Sequence, residues 1–229
     1  MSFLLNPFEF AGPAVPPAVV STTAYPDSNL SGGSTLFSMF SGLDLSDCSI
    51  ALAWAVVSAS TGTINVDSGS TAGWTKLGTR RWNAGLNPNG DLALFYKVAP
   101  TNNETFAVRT SVNNLHFAGI LERISGADTV IWNTGTAVGT AAANFDPPSY
   151  DTGASRDYLF TAAAAFASVT ASAGPSGYSN FTVQDTASVS QLYSIAMAAQ
   201  ESLTQTINPG AFTNGSSRGA HAIAACYKA

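Results

Sequence analysis

Five residues near the C-terminus, Gly215-Ser216-Ser217-Arg218-Gly219, have the G-x-S-x-G spacing that presents a nucleophilic serine in many hydrolases. That chemistry needs a strand, a sharp turn and a helix around the serine, with an acid and then a histidine later in the chain. The residues after Gly219 alternate like a strand and contain no Asp. The spacing therefore reads as a Ser/Gly turn. His116 and His221, the two histidines, fall in segments of strand character, with no Cys, Asp or Glu at ligand spacing. They read as sheet-face positions, and no metal or cofactor is expected.

Glycoside hydrolysis would need two carboxylates about 5–10 Å apart across a cleft. Most of the acidic residues, including Asp44, Asp47, Asp67, Asp128, Asp146 and Asp151, sit in turn-like stretches where an Asx side chain caps its own backbone. Glu122 differs, lying mid-strand beside Arg123, where a cross-strand ion pair is the expectation. The Asp spacing matches no calcium loop. Cys48 and Cys226 lie near opposite ends of the chain and match no zinc or thioredoxin pattern, so both are expected as reduced, small apolar residues, with a disulfide between the first and last strands as the alternative. Indole faces stack on sugars and anchor interfaces. Trp54 and Trp74 stand in apolar strand contexts and are expected in the core. Trp82 and Trp132 stand in polar, Asn-rich surroundings and are the candidates for surface contact.

The elements that must position these residues read as strands. Cys48 to Ser58 is a continuous apolar run, as a strand buried on both faces requires. Asp91 to Val98 alternates, as do Phe106, Val108 and Thr110, and His116 to Ile124 follows. Asp157 to Phe166, Leu192 to Gln200 and Gly219 to Tyr227 complete the set. Thr161 to Ala173 is Ala-rich and helical by propensity, but its flanking Phe160, Phe166, Val169 and Thr170 favour a strand. Gly, Pro and Asn clusters separate the runs. About eight to ten strands are expected, forming an all-β, antiparallel two-sheet sandwich that is jelly-roll-like. No period of 20–50 residues repeats, which excludes a solenoid or propeller.

Charged residues make up only 10% of the chain, so Ser, Thr, Asn and Gly must supply the polar surface. That surface suits packing into an assembly. The net charge is −5 and the nine basic residues are scattered, which argues against nucleic-acid partners. No apolar run is long enough to span a membrane, and the first ten residues lack the basic start of a signal peptide. Residues 1–35 read as an extended apolar and Pro-rich arm and linker, and residues 36–229 as the sandwich domain. In the arm, Phe3, Leu4, Leu5, Phe8 and Phe10 have no local element to bury them. Burying each is worth about 1.5–3 kcal/mol, so the cluster is expected to dock on a partner.

The order of segments carries a resemblance. CSIALAWAVVS (48–58), GWTKLG (73–78), LALFYKVAPTNNETFAV (92–108), HFAGILERISGAD (116–128), DYLFTAAAAFA (157–167) and HAIAACYKA (221–229) together resemble a jelly-roll domain of phage virion and bacterial surface proteins. The opening FLLNPFEFAG resembles an N-terminal peptide that precedes different β-sandwich modules in phage proteins. The resemblance implies a non-enzymatic structural protein of a tailed-phage virion, assembled in the host cytoplasm. Its arm would dock on capsid or tail subunits, and its sandwich would adhere to the host surface, including surface glycan. Homo-oligomers, trimers among them, fit such a role. Capsid decoration and polysaccharide hydrolysis are the alternative expectations.

Overall fold

The alternating and continuous apolar runs form strands throughout the computed structural model. It describes residues 17–26, 35–58, 64–82, 90–111, 116–127, 129–133, 137–146, 149–151, 158–167, 170–186, 193–201, 206–208 and 210–228. The fold is all-β, with antiparallel sheets packed face to face. The first half contains β1 (Ala18–Pro26), β2 (Leu36–Leu43), β3 (Ile50–Ser58), β4 (Ile64–Val66), β5 (Thr75–Trp82), β6 (Gly90–Val98), β7 (Glu104–Thr110) and β8 (Phe117–Ser125). The second half contains β9 (Thr129–Asn133), β10 (Ala137–Phe145), β11 (Tyr150–Asp151), β12 (Tyr158–Ala167), β13 (Ala171–Ala173), β14 (Ser179–Asp185), β15 (Tyr193–Glu201), β16 (Thr206–Ile207) and β17 (Phe212–Lys228).

One strand order occurs twice. In the first half an inner sheet runs β1-β8-β3-β6-β5, and an outer sheet runs β2-β7-β4. This is the strand order of an eight-stranded jelly roll, except that β5 pairs with β6 in the inner sheet. The second half builds β10-β17-β12-β15-β14, with β9 and β13 also on β17, and a separate β11-β16 pair. The register repeats as well. Ile50 lies between Ile124 and Val98, and Leu159 lies between Tyr227 and Glu201. Trp54 faces Leu94 and Ile120, and Ala163 faces Met197 and Ile223. Even the irregularity recurs, between Lys76 and Gly78 on β5 and between Ser179 and Thr182 on β14. Ahead of it, Gly73-Trp74-Thr75 and Gly177-Tyr178-Ser179 lead into the two strands. Both glycines hold a positive φ, +97° and +84°, that glycine adopts without steric cost.

The two inner sheets pack against each other. The apolar run of β3 divides by parity, as a strand buried on both faces must. Ile50, Leu52, Trp54 and Val56 join Leu92, Leu94, Ile120, Leu159, Ile195 and Met197 in a core shared by both halves. Ala51, Ala53, Ala55 and Val57 face the outer sheet and an aromatic core containing Phe37, Phe40, Trp74, Phe95, Phe106 and Phe117. The shared interface is reciprocal. β14 meets β1 and β8, and β5 meets β10 and β17. β15 meets β3 and β8, and β6 meets β12 and β17. Such self-complementary contact is the signature of a two-fold relation, here between halves of one chain. A hydroxyl pair, Thr22 and Thr182, bridges the halves at 2.6 Å.

Three sequence expectations change. Residues 18–26, read as part of an arm and linker, form β1, antiparallel to β8 from Ala18↔Ser125 to Pro26↔Ala118. The β-branched Val19, Val20, Thr22 and Thr23 suit a strand, and the prolines are confined to its borders. The Gly215–Gly219 segment is not a turn but part of the continuous β17. Among the described residues, seventeen strands replace the eight to ten expected, because the sandwich pattern is used twice. Through Ala167 the Ala-rich segment is strand, as expected: β12 is held between β15 and β17, and this pairing overrides helix propensity.

Candidate functional site

In the first half, the outer sheet ends at β4, which pairs with β7 through Asn65↔Arg109. After Val66 the chain turns, with Asp67 N–H still bonded to Ala107 O (2.9 Å) and Ser70 N–H to Asp67 O (3.0 Å). The Asp67 carboxylate serves two neighbours. One oxygen accepts the Gly69 N–H at 2.9 Å, and the other accepts Arg109 Nε–H. The Gly69 amide and the Arg109 guanidinium together hold the Asp67 carboxyl below its usual range. Beside this pair lies an open cleft of about 310 Å3, lined by residues 65–68 and 109–111. Lys76 stands at its margin, donating to Ile64 O and to Asn65 Oδ1, each at 3.0 Å.

The cleft wall holds one carboxylate, and that carboxylate is ion-paired and kept ionised. A general acid needs the opposite, a carboxyl whose pKa is raised by burial. Arg109 is about half exposed, and its Nη1 reaches Thr35 Oγ1 only at 3.5 Å. The arrangement presents a positioned guanidinium among small hydroxyl and amide groups, which suits recognition.

A second polar cluster braces the β6–β7 turn. Glu104 is buried and receives Lys97 Nζ at 2.7 Å, Thr101 N–H and Oγ1–H at 2.8 Å each, and the Thr71 hydroxyl. Burial alone would raise the Glu104 carboxyl, but the bonds from Lys97, Thr71 and Thr101 outweigh it and bring it down to about 2. The turn itself holds Ala99 at φ +45°. This cluster is buried scaffold.

Phe3, Leu4, Leu5, Phe8 and Phe10 lie outside the described residues. Trp82 ends β5 opposite Gly90, and Trp132 lies in β9 opposite Ala225. The backbone thus places them on different halves, and their side chains lie outside the described ones. Trp54 and Trp74 are buried, as expected. Glu122 is fully buried and accepts Trp54 Nε1–H at 3.3 Å, while its neighbour Arg123 pairs with Asp47 at 3.1 Å. His116 is buried immediately before β8. Cys48 is a free, buried thiol, pushed up to about 11 by burial and by the adjacent Asp47 charge. The Cys226 and His221 side chains lie outside the described ones. Among the described residues no group of His, Cys, Asp and Glu could hold a metal ion, and no helix is long and apolar enough to cross a membrane.

The sequence reading missed the cleft. It took Asp67 as a residue capping its own turn, which it does, but its second partner, Arg109, is far along the chain and gives no local signal. No protein-family model matches the chain, and no curated protein or solved structure matches it.

Proposed function

We propose that the chain is a non-enzymatic structural protein of a tailed-phage virion, docked through its N-terminal arm and displaying the sandwich for host-surface adhesion. The observation that carries this reading is the pairing of a doubly buried β scaffold with a polar cleft whose one wall carboxylate is locked in an ion pair. Such a site favours holding a ligand over turning it over. The low charge content supports a surface built to pack among neighbours. The five large apolar side chains between Phe3 and Phe10 support docking.

The test is deletion of residues 1–12, which stops short of β1 at Ala18. The truncated domain should melt as the full chain does and be missing from purified particles in a blot. A truncated protein that is destabilised yet enters particles normally refutes docking. Purified full-length protein should also adhere to host cells, and turnover of host capsule or lipopolysaccharide would contradict the non-enzymatic reading.

A further inference from the structure

We propose that the cleft beside β4 binds the carboxylate of an acidic sugar, with Arg109 as its ion partner. This rests on the adhesive reading and names the class of glycan. A guanidinium carries five N–H donors in a planar fork. In Arg109, Nε is committed to Asp67, Nη1 makes only the long contact to Thr35, and the side chain is 51% exposed along the cleft wall. Donors therefore remain for a ligand, and a sugar carboxylate can accept two of them side by side. Asp67 sets the orientation of the fork before any ligand arrives, which lowers the ordering cost of binding.

The neighbouring charges do not oppose an anion. Both Asp67 oxygens are engaged, and Lys76, outside the lining, adds a cation behind Asn65. Ser68, Ser111 and Asn65 line the same space with groups that can meet sugar hydroxyls. The fold does not demand this arrangement. In the second half, β14 and β15 take the places of β5 and β6 in the strand order, yet no Lys or Arg occurs between Arg156 and Arg218.

The experiment titrates the full-length protein calorimetrically with oligomers of galacturonic, glucuronic and sialic acid, their methyl esters, and inorganic phosphate. At least one acid should bind, with its neutral ester roughly tenfold weaker and phosphate a poor competitor. R109Q should lose binding of that acid while keeping its melting temperature, since a half-exposed ion pair contributes little to stability. If R109Q melts early, R109K keeps the charge without the fork, and it should bind the acid more weakly on an intact fold. Equal affinity for acid and ester, equal competition by phosphate, binding by none of the acids, or undiminished binding by R109Q or R109K overturns the proposal. Adhesion to host cells separates the two readings. R109Q protein that adheres like wild type removes the cleft and leaves adhesion standing, whereas wild-type protein that fails to adhere removes adhesion itself.

Discussion

The two halves use one strand order with different side chains. Where the first half places Trp54, Leu94 and Phe95, the matching register of the second places Ala163, Met197 and Ala198. The first half fills its own core with a chain of aromatic contacts: Phe37 stacks on Phe117 at 5.4 Å, and Phe106 touches both Trp74 and Phe95. The first half also carries six of the nine basic residues: Lys76, Arg80, Arg81, Lys97, Arg109 and Arg123. Its buried Lys97–Glu104 pair and its Asp67–Arg109 pair have no basic counterpart in β13 to β16. Since both halves reach the same inner-sheet strand order, ladder register and an apolar inner face suffice for that sheet without the aromatic residues. The charged groups of the first half then stand out as additions to the scaffold.

If the shared core joins the halves, its largest side chain should matter most. W54A should cost about 3–5 kcal/mol, by lost transfer energy and an unfilled cavity. It also removes the indole N–H that Glu122 accepts. Denaturant unfolding should show one transition, shifted as a whole. A variant in which only part of the signal shifts would mean that the halves unfold independently.

The Glu104 cluster sharpens the comparison from the polar side. E104Q should cost about 2 kcal/mol, the scale of hydrogen bonds to a charged group. Because the folded carboxyl sits at about 2, below its ordinary 4.5, its contribution is fully present above about 4.5 and is lost as the pH falls toward 2. The wild type should therefore lose stability across that window, and E104Q should show a flatter acid limb. Parallel acid limbs would mean that Glu104 does not hold the turn as described.

The smallest effect should come from Cys48, a buried free thiol whose S–H donates to Leu45 O at 3.3 Å. C48A should cost about 1 kcal/mol, as ordinary core substitutions do. Native protein should resist thiol alkylation at Cys48, because burial holds the thiol far above neutral pH at about 11. Rapid labelling in the folded state would place Cys48 at the surface.

Much of the fold was legible because strand patterns are local. The unbroken run from Cys48 to Ser58 announced burial on both faces, and β3 alternates between two cores as that run required. Turn chemistry is local too: the cluster Gly174-Pro175-Ser176-Gly177 forms a bend in which Tyr178 N–H closes on Pro175 O. The doubling was not legible. Its repeat spans half the chain, and side chains diverged while register persisted, leaving only Gly73-Trp74-Thr75 beside Gly177-Tyr178-Ser179 as a visible echo. β1 was hidden by the prolines at its borders, and its pairing partner, β8, is distant in sequence. The cleft was hidden for the same reason, since Asp67 and Arg109 meet only when β4 is laid on β7.

The claim on which this comparison depends is that the inner sheets of the two halves lie face to face, and one bond can test it. The hydroxyls of Thr22 on β1 and Thr182 on β14 are 2.6 Å apart, within reach of disulfide geometry. In a C48S/C226S background, T22C/T182C protein should close a 22–182 disulfide under mild oxidant, detected as a cross-linked peptide by mass spectrometry. Face-to-face packing predicts near-complete closure in the native state and none in denaturant before oxidation. Two thiols that stay separately alkylatable in the folded protein would contradict it.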